Sequence, residues 1–141
     1  MTTAASAPVA RSPFTPLTVS AIFIGGALGT LARFLLDTAH PVSAGHFPLT
    51  TLVINLSGSA AIGLLIPVLE PLHQRAPWAR PLLVIGVLGG WTTYSTLAVD
   101  SVQLAHHGHL GLMVGYLAAT VIGGIVAVVL AENLARRLMA S

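Results

Sequence analysis

The chain has 141 residues, 55% of them hydrophobic and only 7% charged, with a mean hydropathy of +0.87. A soluble domain carries about 25% charged residues, so this is a membrane protein, and four spans of about 20 apolar residues each leave no room for a soluble catalytic domain. Six Arg against four acids are too few charges to suggest nucleic-acid binding, and the absence of Cys excludes disulfides, thiolate metal sites and Cys nucleophiles.

Residues 1–16 are rich in Ala, Ser, Thr and Pro, with Arg11 the only charge. They are expected to form a disordered N-terminal tail. A four-helix membrane domain is expected over 17–131, with helices at about 17–36, 48–69, 82–102 and 111–130. Residues 132–141 then form an aqueous C-terminal tail.

The first helix carries Gly25, Gly26 and Gly29, which suit close helix contact. Arg33 lies near its far end. A charge costs roughly 2.5–3.5 kcal/mol at a helix centre on insertion scales and less near an end, where a long side chain reaches the interface. Two readings of Arg33 stand: a snorkelling anchor, or a cation in a wet vestibule that attracts anions. The second helix begins with Pro48, whose missing N–H would be unpaired there anyway. Asn55, Ser59 and Gly63 share one of its faces. The Asn55 amide needs partners in hydrocarbon, as interhelical glue or as a donor lining a pore. Pro67 is positioned to kink or end this helix.

The third apolar segment contains Gly86, Gly89, Gly90, Thr92, Thr93, Tyr94, Ser95 and Thr96. Glycine costs roughly 1 kcal/mol against Ala inside a helix, and irregular backbone at membrane depth survives only inside protein or along a wet cavity. One reading is a broken helix whose freed carbonyls hold a cation and whose hydroxyls line a polar path. The other is a glycine face for close packing, since Gly86 and Gly90 are four apart. Asp100 near the segment's end reads as a structural charge. His106, His107 and His109 follow in an exposed loop. In the fourth helix, Gly111, Gly115, Ala119, Gly123, Ala127 and Ala131 form a small-residue packing row. Beside it, Tyr116 and Thr120 are i, i+4 neighbours with two hydroxyls for one groove.

Arg11, Arg75, Arg80, Arg136 and Arg137 all fall on the side of the two termini and the second loop. The positive-inside rule makes both termini cytoplasmic and predicts a single orientation. No nucleophile–base pair, phosphate loop or metal-ligand cluster suggests an enzyme.

Three stretches together resemble one family. They are Gly25-Gly26-Ala27-Leu28-Gly29-Thr30-Leu31-Ala32-Arg33, Thr51-Leu52-Val53-Ile54-Asn55-Leu56-Ser57-Gly58, and Gly89-Gly90-Trp91-Thr92-Thr93-Tyr94-Ser95-Thr96-Leu97. The chain resembles the small bacterial fluoride channels called CrcB or Fluc over about residues 20–131. The resemblance implies an all-α membrane protein of the bacterial inner membrane, with four transmembrane helices, a break in the third, and two chains packed as an antiparallel, dual-topology dimer. It implies passive export of fluoride through two pores along the dimer interface. It also implies a structural, untransported Na⁺ at the dimer centre, held here by the backbone carbonyls of Gly89 and Thr92. The fluoride path carries over to Asn55, Thr93, Tyr94, Ser95, Thr96, Leu97, Tyr116 and Thr120, with Arg33 in the vestibule. The family's third motif reads Thr-Thr-Phe-Ser-Thr-Phe, with both ring edges on the anion. Tyr94 keeps such an edge; Leu97 does not. That loss and the one-sided Arg bias favour an oppositely oriented homologous chain as partner over a homodimer.

Neutral donors suit a small, strongly hydrated anion, because conduction needs binding weak enough to release it. A small multidrug-type cation transporter is the alternative, and it needs a carboxylate at mid-depth in the first helix. Here the first acid is Asp37, at that helix's end. A non-conducting partner subunit of a paired channel is the remaining alternative.

Overall fold

The computed structural model describes residues 15–140. Apart from Thr15 and Pro16, the tail expected at 1–16 lies outside the described residues. Four helical spans are long and apolar enough to cross a membrane: Pro16–Ala39, Leu49–Leu69, Pro81–His106 and Leu110–Ala140.

Helix α1 (Pro16–Ala39) starts with Pro at its first position. The Thr15 hydroxyl caps it by accepting from the Thr18 N–H at 3.2 Å. Helix α2 (Leu49–Leu69) follows a loop that turns at Gly45, where φ is +80°. Pro67 lies inside α2 and does not end it; the helix continues to Leu69.

The third span is assembled from pieces. Pro81–Leu88 winds in wide π turns, Gly89–Trp91 forms a short α3, and α4 runs from Tyr94 to His106. Between α3 and α4 two residues leave the helical region. Thr92 has φ −70°, ψ 154° and Thr93 has φ −144°, ψ 122°. They sit at the middle of the span. α4 runs past the end expected near residue 102, to His106, because Gly108 supplies a left-handed residue (φ +78°) just beyond it. The His109 N–H then reaches the Leu104 carbonyl at 2.9 Å and the Gly108 N–H the Ala105 carbonyl at 3.0 Å, a Schellman termination.

Helix α5 (Leu110–Ala140) has 31 residues, about 46 Å at 1.5 Å each. It continues through the segment expected to be a tail. Ala131 and Ala135 are buried there, and Glu132 pairs with Arg136 one turn on at 2.8 Å.

Glycine sets the closest packing. A Cβ on Gly25 would strike the Leu82 carbonyl, and one on Gly29 the Val87 carbonyl. A Cβ on Gly86 would meet Gly25 Cα at 2.9 Å, and one on Gly90 would meet Thr30 N at 2.9 Å. The Gly86 and Gly90 pair therefore packs against α1. Only part of the α5 row packs inside the protomer. Gly123 lies against Leu56 and Ala131 against Gly63, whereas Gly111 and Gly115 face open space. Leu97, Leu104 and Tyr116 form the buried core between α4 and α5.

Candidate functional site

The extended step at Thr92–Thr93 redirects a set of hydrogen bonds. In an unbroken helix the Thr93 N–H would serve the Gly89 carbonyl. Here it donates to Asn55 Oδ1 at 2.8 Å, and Asn55 Nδ2 donates back to the Thr93 carbonyl at 3.1 Å. The side-chain amide of α2 thus pairs with the N–H and carbonyl of one residue of the step, as a neighbouring strand would. This pairing fixes which end of the amide is oxygen, because a peptide N–H only donates. It leaves the second N–H of Nδ2 for the groove.

The next donor is diverted too. The Thr96 N–H, which would serve the Thr92 carbonyl, donates to Thr93 Oγ1 at 3.1 Å and caps α4. The Thr93 hydroxyl donates in turn to Thr96 Oγ1 at 2.9 Å, with Ser95 Oγ at 3.3 Å. Gly89 and Thr92 have therefore both lost the N–H that regular helix would give them. Carbonyl oxygens without helical donors at mid-span are suitable ligands for a hard cation such as Na⁺.

Gly90 is treated differently. Its carbonyl accepts from Arg33 Nε at 3.2 Å. The Arg33 guanidinium also lies 3.8 Å from Asp37, one turn along α1. On the α2 side, the Trp91 indole N–H donates to Ser57 Oγ at 3.0 Å. Gly58 leaves room for the Thr92 methyl, which a Cβ there would overlap.

An open groove runs beside the step, lined by Asn55, Ser59, Ile62, Thr92, Thr93, Tyr94, Leu97 and Thr120. Tyr94 is 83% exposed and projects from the protomer; Leu97, which also lines the groove, is 7% exposed. Ser95 is exposed and Thr96 half-buried. Tyr116 and Thr120 do not share the groove. Thr120 lines it, with its hydroxyl donating to the Tyr116 carbonyl at 2.9 Å. Tyr116 is 0% exposed, its ring set edge-on to Phe47 at 5.8 Å.

Sequence reasoning did not foresee where the Tyr116 hydroxyl goes. It donates to Asp100 Oδ2 at 3.2 Å, and Thr51 Oγ1 donates to the same oxygen at 2.8 Å. Asp100 thereby ties α2, α4 and α5 together. The only signal was an acid and a tyrosine in apolar segments, each needing a partner. Among the described residues there is no cluster of three His, Asp or Glu able to hold a metal.

These features define a class: a multi-pass helical membrane protein with a polar, half-open step in the middle of its third span. Residues 20–132 match the family described as "CrcB-like protein, Camphor Resistance (CrcB)". The chain belongs to that family. It is 38% identical over 131 residues to "Fluoride-specific ion channel FluC 2" of Nocardia farcinica, covering 93% of this chain and 94% of the relative. It is 40% identical over 121 residues to "Fluoride-specific ion channel FluC 1" of Streptomyces coelicolor, covering 86% and 79%. It is 37% identical over 119 residues to "Fluoride-specific ion channel FluC" of Saccharophagus degradans, covering 84% and 90%.

Proposed function

We propose that this chain is a protomer of a fluoride channel that exports fluoride passively and lowers its cytoplasmic concentration. The names of its relatives support the substrate. The observation that carries the reading is the redirected hydrogen bonding at Thr92–Thr93, which puts hydroxyl and amide donors beside an open groove at mid-span. Fluoride must exchange its water for such donors. The free N–H of Asn55 and the hydroxyls of Ser95 and Thr96 are neutral, so they solvate an anion without trapping it. The positive edge of the Tyr94 ring suits the same ion. Leu97 and Tyr116 act from behind, as core that holds α4 against α5.

The working unit is a pair of chains packed antiparallel. Irregular backbone and exposed hydroxyls at mid-span are not stable against acyl chains. A second chain covers them, and Gly89, whose Cβ position is open, is free for close approach. Na⁺ at the contact takes the carbonyls of Gly89 and Thr92, whose donors are diverted. Its role is to hold the two chains together; it is not transported. The Arg bias puts both termini in the cytoplasm and favours an oppositely oriented homologous chain as partner.

Fluoride efflux from liposomes, without a proton gradient and with Na⁺ present, tests the function. Efflux is expected when this chain is reconstituted with its partner chain or as its own dimer. Transport of quaternary-ammonium dyes without fluoride flux would overturn it. Co-purification of this chain alone as a Na⁺-dependent conducting dimer of mixed orientation would overturn the paired-chain reading.

A further inference from the structure

Resting on the Na⁺ reading above, we infer that Arg33 is the positioning residue of the cation site. Its Nε–H holds the Gly90 carbonyl on α1 and so keeps that oxygen away from the ion, whose proposed ligands are the carbonyls of Gly89 and Thr92. The extended step strips four consecutive carbonyls, Gly89 to Thr92, of helical donors, because the N–H groups four residues on are displaced or diverted. Leu88 is the last to be served, accepting from the Thr92 N–H at 3.0 Å and from its hydroxyl at 2.9 Å. Beyond it, the Gly90 backbone is seated against α1, where Thr30 Oγ1 lies 3.0 Å from the place its Cβ would take. Arg33 stands three residues after Thr30 and supplies the missing donor at 3.2 Å.

The guanidinium is held at two points. Nε is on the Gly90 carbonyl and Nη1 is 3.8 Å from Asp37. A side chain whose only task is to attract anions in open water needs neither contact. The Gly90 contact is made by Nε of the planar guanidinium fork, with Asp37 in ion-pair range, a placement that lysine, with one terminal nitrogen, does not reproduce. The positive charge also lies at the C-terminal end of the first half-span, where the helix dipole favours it.

Arg33→Lys separates positioning from steering, because it keeps the charge and loses the fork. The measurement is the Na⁺ midpoint for thermal stabilisation of the purified dimer, with choline chloride holding ionic strength constant. A hydrogen bond from a charged donor is lost, so the midpoint is expected to rise about tenfold or more. A second measurement needs no variant. In the wild-type dimer, ¹³C carbonyl resonances of Gly89 and Thr92 should move on exchange of Na⁺ for choline, and that of Gly90 should stay. A wild-type midpoint in Arg33→Lys, or a Gly90 resonance that moves with its neighbours, overturns the inference and leaves the Na⁺ reading standing. Wild-type stability indifferent to Na⁺ overturns both.

Discussion

Replacing Asn55 by Leu is the sharpest perturbation available, since it keeps volume and removes both bonds to Thr93. The Thr93 N–H and carbonyl, now held at 2.8 Å and 3.1 Å, would be left unpaired in a half-buried site. Each unpaired group costs about 1–3 kcal/mol, so the native arrangement loses about 2–6 kcal/mol. The chain has one way to recover part of this. If Thr92 returns to helical dihedrals, the Thr93 N–H can serve the Gly89 carbonyl again, which closes the step and removes a proposed cation ligand. Asn55→Leu is therefore expected to lower the thermal midpoint, to abolish the Na⁺ dependence of dimer stability and to stop fluoride efflux. Asn55→Asp keeps an acceptor for the Thr93 N–H and loses the donor to the Thr93 carbonyl. It should cost about half as much stability, yet stop efflux as completely, because it puts a negative charge beside the anion path. Thermal unfolding across a Na⁺ series, with efflux measured on the same preparations, reads all three effects. Wild-type Na⁺ dependence in Asn55→Leu would refute the argument that this amide keeps the step open.

Gly29→Ala would drive a methyl into the Val87 carbonyl and should cost about 1–3 kcal/mol, as overpacking does. Gly26→Ala, where the added methyl meets open space within the protomer, should leave monomer stability unchanged or raise it by up to about 1 kcal/mol; equal losses in denaturation would contradict the packing described for α1. Tyr116→Phe keeps the ring against Phe47 and loses the bond to Asp100. It should cost about 1.5–3 kcal/mol, whereas Tyr116→Ala should cost about 3–5 kcal/mol by leaving a cavity; calorimetry of the two variants tests that order. Exchange of Na⁺ for choline should shift wild-type protein toward monomer in a sedimentation experiment, and an unchanged distribution would count against the carbonyl site.

The number of spans was legible because it depends only on runs of apolar residues. Residues 86–97 stood out for the same kind of reason: glycine and hydroxyl residues are out of place in an apolar span. Composition alone left packing and irregular backbone as alternatives there, and the structure divides the stretch between them. Gly86 and Gly90 pack on α1, while Thr92 and Thr93 carry the extended dihedrals. The partners were not legible. Spacing places Asn55 and Ser59 on one face of α2, but cannot say that Asn55 meets a peptide 38 residues later. The pairing of Tyr116 with Thr120 rested on helical spacing and on the family resemblance. It missed that the tyrosine ring is long enough to turn into the core, toward an acid on another helix. The end of α5 was misjudged because charge was read as the boundary of structure. Glu132 and Arg136 mark only where the helix meets water, and their pairing supports its continuation.

The step also has a polarity that follows from its two flanking helices. A helix presents carbonyls at its C-terminus and N–H groups at its N-terminus, with about half an elementary charge of matching sign at each end. The first half-span ends at Trp91 and α4 begins at Tyr94, so opposite ends meet across two residues. The carbonyl end is the one that Arg33 touches and from which the N–H of Thr93 has been withdrawn. The N–H end is the one bordered by the hydroxyls of Thr93, Ser95 and Thr96. An unbroken helix would cancel these partial charges internally at mid-membrane. Interrupting it for two residues exposes both signs at one depth, so in the function proposed above a single structural event would serve both the cation site and the anion path. That coupling makes a demand on any variant that restores helical dihedrals at Thr92 and Thr93: cation dependence and anion flux must disappear together. Loss of one with full retention of the other would show that the two sites have separate origins.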